Sequence, residues 1–355
     1  MNYMLISDVH LGAKRQGGTT PQSQQALKNY LQEQFGEFLA THQDNDLIIA
    51  GDLFDNFEVD TRTVLDCYFA ISEWMESPGR NLVVIAGNHD YSPKGDKMSS
   101  FHFLAKLLDD RYQSPRFGGR FLLIDQGLAE IGDSVWAIPH MPNQDLFQLE
   151  LDKALATDFM TVLILHANYD NKFALKSDHS LNVSREMAQK FADREVTLVF
   201  AHEHRAKTDL SGRVVILGNQ WPSSIADCLG SDEKFAHVLY EREMDRLRTW
   251  SRTGASGYAE IDWSTLDPSI ECGEMFIRVT GTALAEEAEA VVEAIAAYRA
   301  KSNAFVVGNA VKVDGLATLD SLEAASAETI KSFDVLGALL EGMTERESQV
   351  LRSLL

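Results

Sequence analysis

Three features of this 355-residue chain predict an α/β fold. Short β-rich apolar runs recur, segments of helical spacing lie between several of them, and the two kinds of signal alternate. The apolar runs cover 3–7, 47–50, 82–86, 121–124, 135–138, 162–165, 197–200 and 214–217. Runs of four or five apolar residues without polar alternation suit strands buried on both faces. Helical spacing is clearest over 25–40, 63–75 and 184–192.

Residues 241–268 turn polar and lose the strand rhythm, which puts a domain boundary near 268. A strand at 275–279, an amphipathic helix over about 285–301 and a strand at 305–313 follow, a small βαβ-like unit. A helical tail is expected over 329–355. The expected organisation is thus a main domain over 1–267, a small domain over 268–320 and a tail over 321–355.

Length supports more than one unit, since single cores stop growing near about 250 to 300 residues. No apolar run approaches the roughly 18 residues of a membrane span, and the start lacks the basic stretch of a signal peptide. A cytoplasmic protein without membrane association is expected. Cys67, Cys228 and Cys272 show no CxxC spacing, which disfavours a disulfide framework or a structural zinc site. The net charge of -21 disfavours broad electrostatic adhesion to nucleic acid, so any DNA contact must be local or metal-assisted.

The chemistry gathers where apolar runs end. Asp8 and His10 close the first run, and on an extended segment their side chains point the same way. Asp52 follows the second run, and Asn88, His89 and Asp90 follow the third. His166 closes the run at 162–165, and His202 and His204 close the one at 197–200. A single His at a strand end is more often structural than a ligand, but here five runs end in ligand types. In open α/β sheets the carboxyl ends of strands form the functional edge, so these scattered residues are expected to converge.

Carboxylates, an amide and imidazoles without thiolate suit manganese, iron or zinc better than an all-oxygen calcium or magnesium cage. Two such ions about 3.5 to 4 Å apart clamp a phosphate and lower the pKa of water toward about 7. The reaction class that follows is hydrolysis of phosphate esters.

Asp8-Val9-His10-Leu11-Gly12, Gly51-Asp52-Leu53-Phe54-Asp55, Gly87-Asn88-His89-Asp90, the later His166 and His202-Glu203-His204 resemble, in this order, the calcineurin-like metallophosphoesterases. The resemblance implies a four-layer α-β-β-α sandwich. It implies that Asp8, His10, Asp52 and His204 hold one metal and Asp52, Asn88, His166 and His202 the other, with Asp52 bridging. It further implies that His89 acts as general acid or transition-state stabiliser, its ring oriented by Asp90. Ala201 departs from the glycine usual before the final His-x-His.

Within the superfamily, the opening motifs most resemble SbcD-like, Mre-type nuclease subunits, with phage-encoded versions nearest. That resemblance implies two manganese ions and a DNA exonuclease or endonuclease in repair, recombination or host DNA degradation. It also implies a homodimer, a capping role for 268–320, and a tail that docks on an SMC-like, SbcC-like ATPase. Asp55 then lies in a loop that approaches substrate, although it equally suits a helix cap. Lys14 and Arg15, with Lys94, Lys97, Lys172, Lys176, Arg205 and Lys207, either ring the site or form solvated surface. The competing readings are a small-molecule phosphodiesterase or lipid pyrophosphohydrolase, which needs no residues beyond 268, and a metal-free scaffold, which the full ligand set disfavours.

Overall fold

Each of the eight apolar runs forms a strand, and burial on both faces explains their composition. Strands are numbered in chain order. In the first sheet β1 (Asn2–Ile6), β2 (Asp46–Ala50), β3 (Asn81–Ile85) and β4 (Arg120–Ile124) run parallel in that order. β13 (Phe235–Tyr240) and β14 (Leu247–Ser251) extend it antiparallel beyond β1.

The second sheet has the order β11-β12-β10-β7-β6-β5. Its strands are β5 (Ala129–Gly132), β6 (Val135–Ile138), β7 (Val162–His166), β10 (Thr197–Ala201), β11 (Lys207–Asp209) and β12 (Val214–Ile216). The four inner strands are parallel, with β5 and β11 antiparallel at the edges. A short parallel pair joins β8 (Asn168–Tyr169) to β9 (Asn182–Val183).

This computed structural model describes residues 2–14, 17–18, 20–42, 46–77, 79–91, 97–112, 120–132, 134–172, 181–224, 227, 235–240, 247–251, 258–267 and 276–314. The anticipated tail over 321–355 lies outside the described residues, as do Arg15, Lys94, Lys176, Cys228 and Cys272.

Alternate residues of each inner strand enter two different cores, as the period of two requires. Tyr3, Leu5, Ile48, Ala50, Val83 and Ile85 meet Val162, Ile164, Val199 and Ala201 in the core between the sheets. Met4, Ile6, Leu47, Ile49, Leu82 and Val84 face helices α1 (Pro21–Thr41), α2 (Thr61–Met75) and α3 (Ser100–Tyr112). Leu163, Leu165, Leu198 and Phe200 face α4 (Gln144–Ala156) and α5 (Arg185–Ala192). The result is the α-β-β-α sandwich that the resemblance implied.

Side chains set where the helices begin. Thr20 accepts from the Ser23 N–H with Pro21 following, and Asp60, Asn143 and Ser184 cap α2, α4 and α5 in the same way. Helices α3 and α4 complete the outer layers beyond the segments where helical spacing stood out.

Within the polar stretch after 241 the described residues include two strands. It contains β14 and β15 (Tyr258–Asp262), because pairing to β13 compensates for weak apolar alternation in β14. The strand expected over 305–313 is two strands, β18 (Phe305–Asn309) and β19 (Lys312–Asp314). β15, β16 (Phe276–Thr280) and β18 form a three-stranded sheet.

The chain divides into two compact units. The larger comprises Met1–Ala259, Glu271–Arg278 and Asn303–Gly308. In the smaller, described over 260–267, 279–302 and 309–314, helix α6 (Ala288–Lys301) buries Val291, Ile295 and Tyr298. There β17 (Thr282–Leu284) pairs in parallel with β19.

Candidate metal centre

Strand β1 ends at Ile6, and the segment that follows does not stay extended. Asp8 and His10 both have φ 52° and Asp52 has φ 49°, in the left-handed region. The shared direction of Asp8 and His10 therefore comes from paired left-handed turns and not from strand alternation. The turns hold because the two loops bond each other: Asp8 N donates to Gly51 O (3.1 Å), His10 N to Asp52 O (3.1 Å) and Leu11 N to Leu53 O (2.9 Å). Non-glycine residues in this region cost on the order of 1 to 3 kcal/mol each and persist where the surroundings over-determine them.

Two glycines are demanded by the approach of ligands. A Cβ on Gly51, at φ 95°, would stand 2.0 Å from His166 Nδ1. One on Gly87 would stand 2.1 Å from Asp52 Oδ1 and 2.4 Å from Asp52 N. Ala201, where glycine is usual, packs its methyl in the core between the sheets.

Two clusters of potential metal ligands result. One joins Asp8, His10 and His204, the other Asp52, His166 and His202, each with ligand atoms within 4.8 Å of one another. In the first, His10 Nε2 lies 3.1 Å from His204 Nε2, and Asp8 Oδ1 lies 3.9 Å from the latter. In the second, His166 Nε2 lies 3.4 Å from Asp52 Oδ2 and 3.0 Å from Asn88 Oδ1.

Each cluster carries a marker of a missing positive charge. Asp8 Oδ2 accepts from the His202 N–H (3.1 Å), while Asp8 Oδ1 is buried without a hydrogen-bond partner among the described residues. His166 Nδ1 faces the Ala50 carbonyl at 3.0 Å, so Nδ1 carries a proton and Nε2, which faces two oxygens, is the atom that takes either a cation or a second proton. Such a set of oxygen and imidazole donors fits divalent cations.

The protonation energetics agree. Burial works to lower the His166 pKa, but the Asp52 carboxylate overrides it and pushes the ring up to about 9. Burial likewise opposes ionisation of Asp52, yet His166, His10 and His89 hold that carboxyl well below the usual range. A proton shared by this pair occupies the electrostatic place of a cation.

His89 stands beside the second cluster. Its N–H donates to Asp52 Oδ1 (2.9 Å), its Nε2 lies 4.0 Å from Asp52 Oδ2, and its side chain is 40% exposed. Its Nδ1 faces the backbone carbonyl of Asp55. The expectation that Asp90 orients this ring is therefore corrected. Asp90 is fully buried and accepts from the N–H of Gly87 (2.9 Å) and of Phe54 (3.5 Å), tying the third motif loop to the second. Burial and the nearby Asp52 push its carboxyl up to about 7.

Asp55 does not cap the following helix. The cap of α2 is Asp60, and the Asp55 carboxylate faces His10 Nδ1 at 3.5 Å. Lys14 is exposed and pairs with Asp60 (3.4 Å), Lys97 pairs with Glu58 (3.6 Å), and Lys207 lies over the Tyr169 ring.

Sequence reasoning missed Asp227, which lies 2.9 Å from His204 Nδ1 through Oδ1. A lone Asp in a Ser-rich loop 23 positions downstream carries no local signal. Gln220, in the stretch 217–224 that follows the His-Glu-His motif, accepts from Ser7 N at 2.8 Å. No described helix is long and apolar enough to cross a membrane.

The profile of the family described as calcineurin-like phosphoesterase matches residues 1–206, more than half of the chain. No curated protein matches it.

Proposed function

The chain belongs to the calcineurin-like phosphoesterase family, and on that premise we propose that it is a two-metal DNA exonuclease or endonuclease, the nuclease subunit of an SbcC/SbcD-like complex. Family membership implies a metal-dependent hydrolase with divalent ions at two sites. Manganese, DNA as substrate, a role in repair, recombination or host DNA degradation, and a phage-type origin are the finer parts of the proposal.

The observation that carries the reaction class is the pairing of two ligand clusters across one sheet interface, each short of a positive charge. Asp8, His10 and His204 would hold one ion, and Asn88, His166 and His202 the other, with Asp52 bridging. Bound divalent ions supply Lewis acidity to the phosphate and acidify water.

The chain's own residues then divide the work. The Asp55 carbonyl holds the Nδ1 proton of His89 and turns Nε2 outward, where the ring in its imidazolium form would donate the Nε2 proton to the leaving oxygen. Asp90 holds the loop that presents Asn88 and His89.

Support for DNA over a small substrate is the resemblance of the opening motifs together with the second unit, in the region proposed to cap the site. Leu65 and Phe69 on α2 and Phe103 on α3, all exposed, support a homodimer formed through these helices. The SMC-like ATPase is assigned to the tail beyond 321.

The net charge of -21 favours the small-molecule phosphodiesterase or lipid pyrophosphohydrolase as second reading. Manganese-dependent cleavage of end-labelled linear DNA, beside bis-p-nitrophenyl phosphate and with an Asp52→Ala control, separates the two. DNA cleavage lost in the control supports the nuclease; diester hydrolysis without DNA cleavage, with the ATPase partner supplied, overturns it.

A further inference from the structure

The two clusters differ in what stands behind their histidines. His166 Nδ1 rests on a backbone carbonyl, whereas His204 Nδ1 meets a carboxylate, Asp227 Oδ1, at 2.9 Å. Asp227 is buried at 5% exposure, and its other oxygen is heavily committed. Oδ2 accepts from Asn219 Nδ2 (2.9 Å), Ser223 N (3.0 Å), Ser224 N (3.1 Å) and Ser223 Oγ (3.2 Å). These donors hold the carboxylate in one orientation.

The same segment is tied to the first motif. Gln220 Oε1 accepts from Ser7 N, Gln220 Nε2 donates to Gly218 O (3.0 Å), and Gly218 O also accepts from Ser7 Oγ (3.3 Å). Asp227 thus joins the segment after β12 to His204, while Gln220 joins it to the loop that carries Asp8.

We propose that Asp227 is the positioning residue of the Asp8, His10 and His204 site: it holds the His204 proton on Nδ1 and so keeps Nε2 free to bind a divalent cation. The inference rests on the two-metal reading above. Its physical content is a choice of tautomer. Nε2, the atom 3.1 Å from His10 Nε2, is a ligand only when it carries no proton.

Replacement by the isosteric amide shows why this goes beyond loop packing. In Asp227→Asn the donors around Oδ2 would retain the amide oxygen, because an NH₂ there would face the backbone N–H groups of Ser223 and Ser224, which cannot accept. The amide nitrogen must then face His204 Nδ1, which needs a lone pair to receive it. The ring proton moves to Nε2 and blocks coordination, just as the wrong tautomer disables the histidine of a serine protease triad when its Asp becomes Asn. The loop survives while one metal site weakens.

The test is titration of metal-stripped full-length chain with Mn²⁺ by calorimetry, beside NMR of histidine-labelled apo protein to read the His204 tautomer. Wild type should bind two ions per chain and hold the Nδ1–H form. Asp227→Asn should melt like wild type in EDTA and show Nε2–H at His204. It should keep one site unchanged and weaken the other by about 10 to 100-fold.

Unchanged affinity at both sites, equal weakening of both, or a retained Nδ1–H tautomer would overturn the proposal. Absence of Mn²⁺ binding by wild type would instead fell the two-metal reading and this inference with it. If Asp227→Asn fails to fold, Ser223→Ala removes one donor and leaves the carboxylate. It should weaken the same site several-fold, and unaltered binding there would refute the assignment.

Discussion

The two clusters draw on the same pair of sheets in opposite proportions. The first takes Asp8 and His10 from the sheet of β1 and only His204 from the sheet of β10. Of its carboxylates and imidazoles the second takes only Asp52 from the former, with the Asn88 amide beside it, and His166 and His202 from the latter. Neither sheet alone can assemble either cluster, so the site exists only where the inter-sheet core brings two parallel edges together.

Their support differs as well. The loops of the first sheet use left-handed residues at Asp8, His10 and Asp52 and close glycines, while in the second His166 is the final residue of a regular strand and His202, at φ 83°, is left-handed too. Left-handed backbone thus serves ligands of both sheets, and His166 is the one of these that ends a regular strand.

The largest effect should come from the residue the two clusters are expected to share. Asp52→Ala should lower manganese-dependent diester hydrolysis by at least about 10⁴-fold, as when one member of a catalytic unit is lost. Loss of one bound metal with most of the turnover intact would show that the clusters act separately.

His89→Gln should cut turnover by about 10² to 10⁴-fold while calorimetry still finds both metals bound. Metal loss on that change would move His89 from proton donor into the second cluster.

Ile164→Ala tests the dependence of both clusters on the sheet interface. Ile164 is fully buried between the sheets, and its truncation should cost about 2 to 5 kcal/mol in urea unfolding. Metal affinity should fall at both clusters together; a fall at the second cluster alone would place the effect in β7 and not in the interface.

The smallest effect is at the edge of the first sheet's helical layer. Asp60 caps α2 and accepts from Lys28 Nζ at 2.8 Å. Partial burial opposes ionisation, but Lys28 and the Thr63 amide hold its carboxyl below the ordinary range. A depressed folded value stabilises the protein above the unfolded pKa of about 3.9, and that contribution fades as pH falls through the folded value. Asp60→Ala should cost about 1 kcal/mol at pH 7 by thermal melting, and the difference should shrink in acid.

How much of this was legible varies with the range of the interaction. The eight strands stood out because β strands buried on both faces require short unbroken apolar runs, and each such run proved to be one. The strand at 247–251 did not stand out, because Leu247-Arg248-Thr249-Trp250-Ser251 owes its state to pairing with β13. The ligand residues announced themselves by type and by place after those runs. Their partners did not: Asp55 was read as a substrate contact or a cap, Asp90 as the support of His89, and Asp227 went unnoticed. A supporting residue is defined by what it touches, and nothing in its own neighbourhood marks it.

The sequence by itself determined the α/β class, the positions of the strands and the kinds of ligand offered at their ends. These are written in periods of two and 3.6 residues and in the chemistry of single side chains. Only the tertiary structure decided which ligands share a cluster, that Asp8 and His10 aim together through left-handed turns, and which group fixes each imidazole. His10 and His204 stand 194 positions apart, and the 3.1 Å between them is set by how two sheets pack, a quantity that no local pattern encodes.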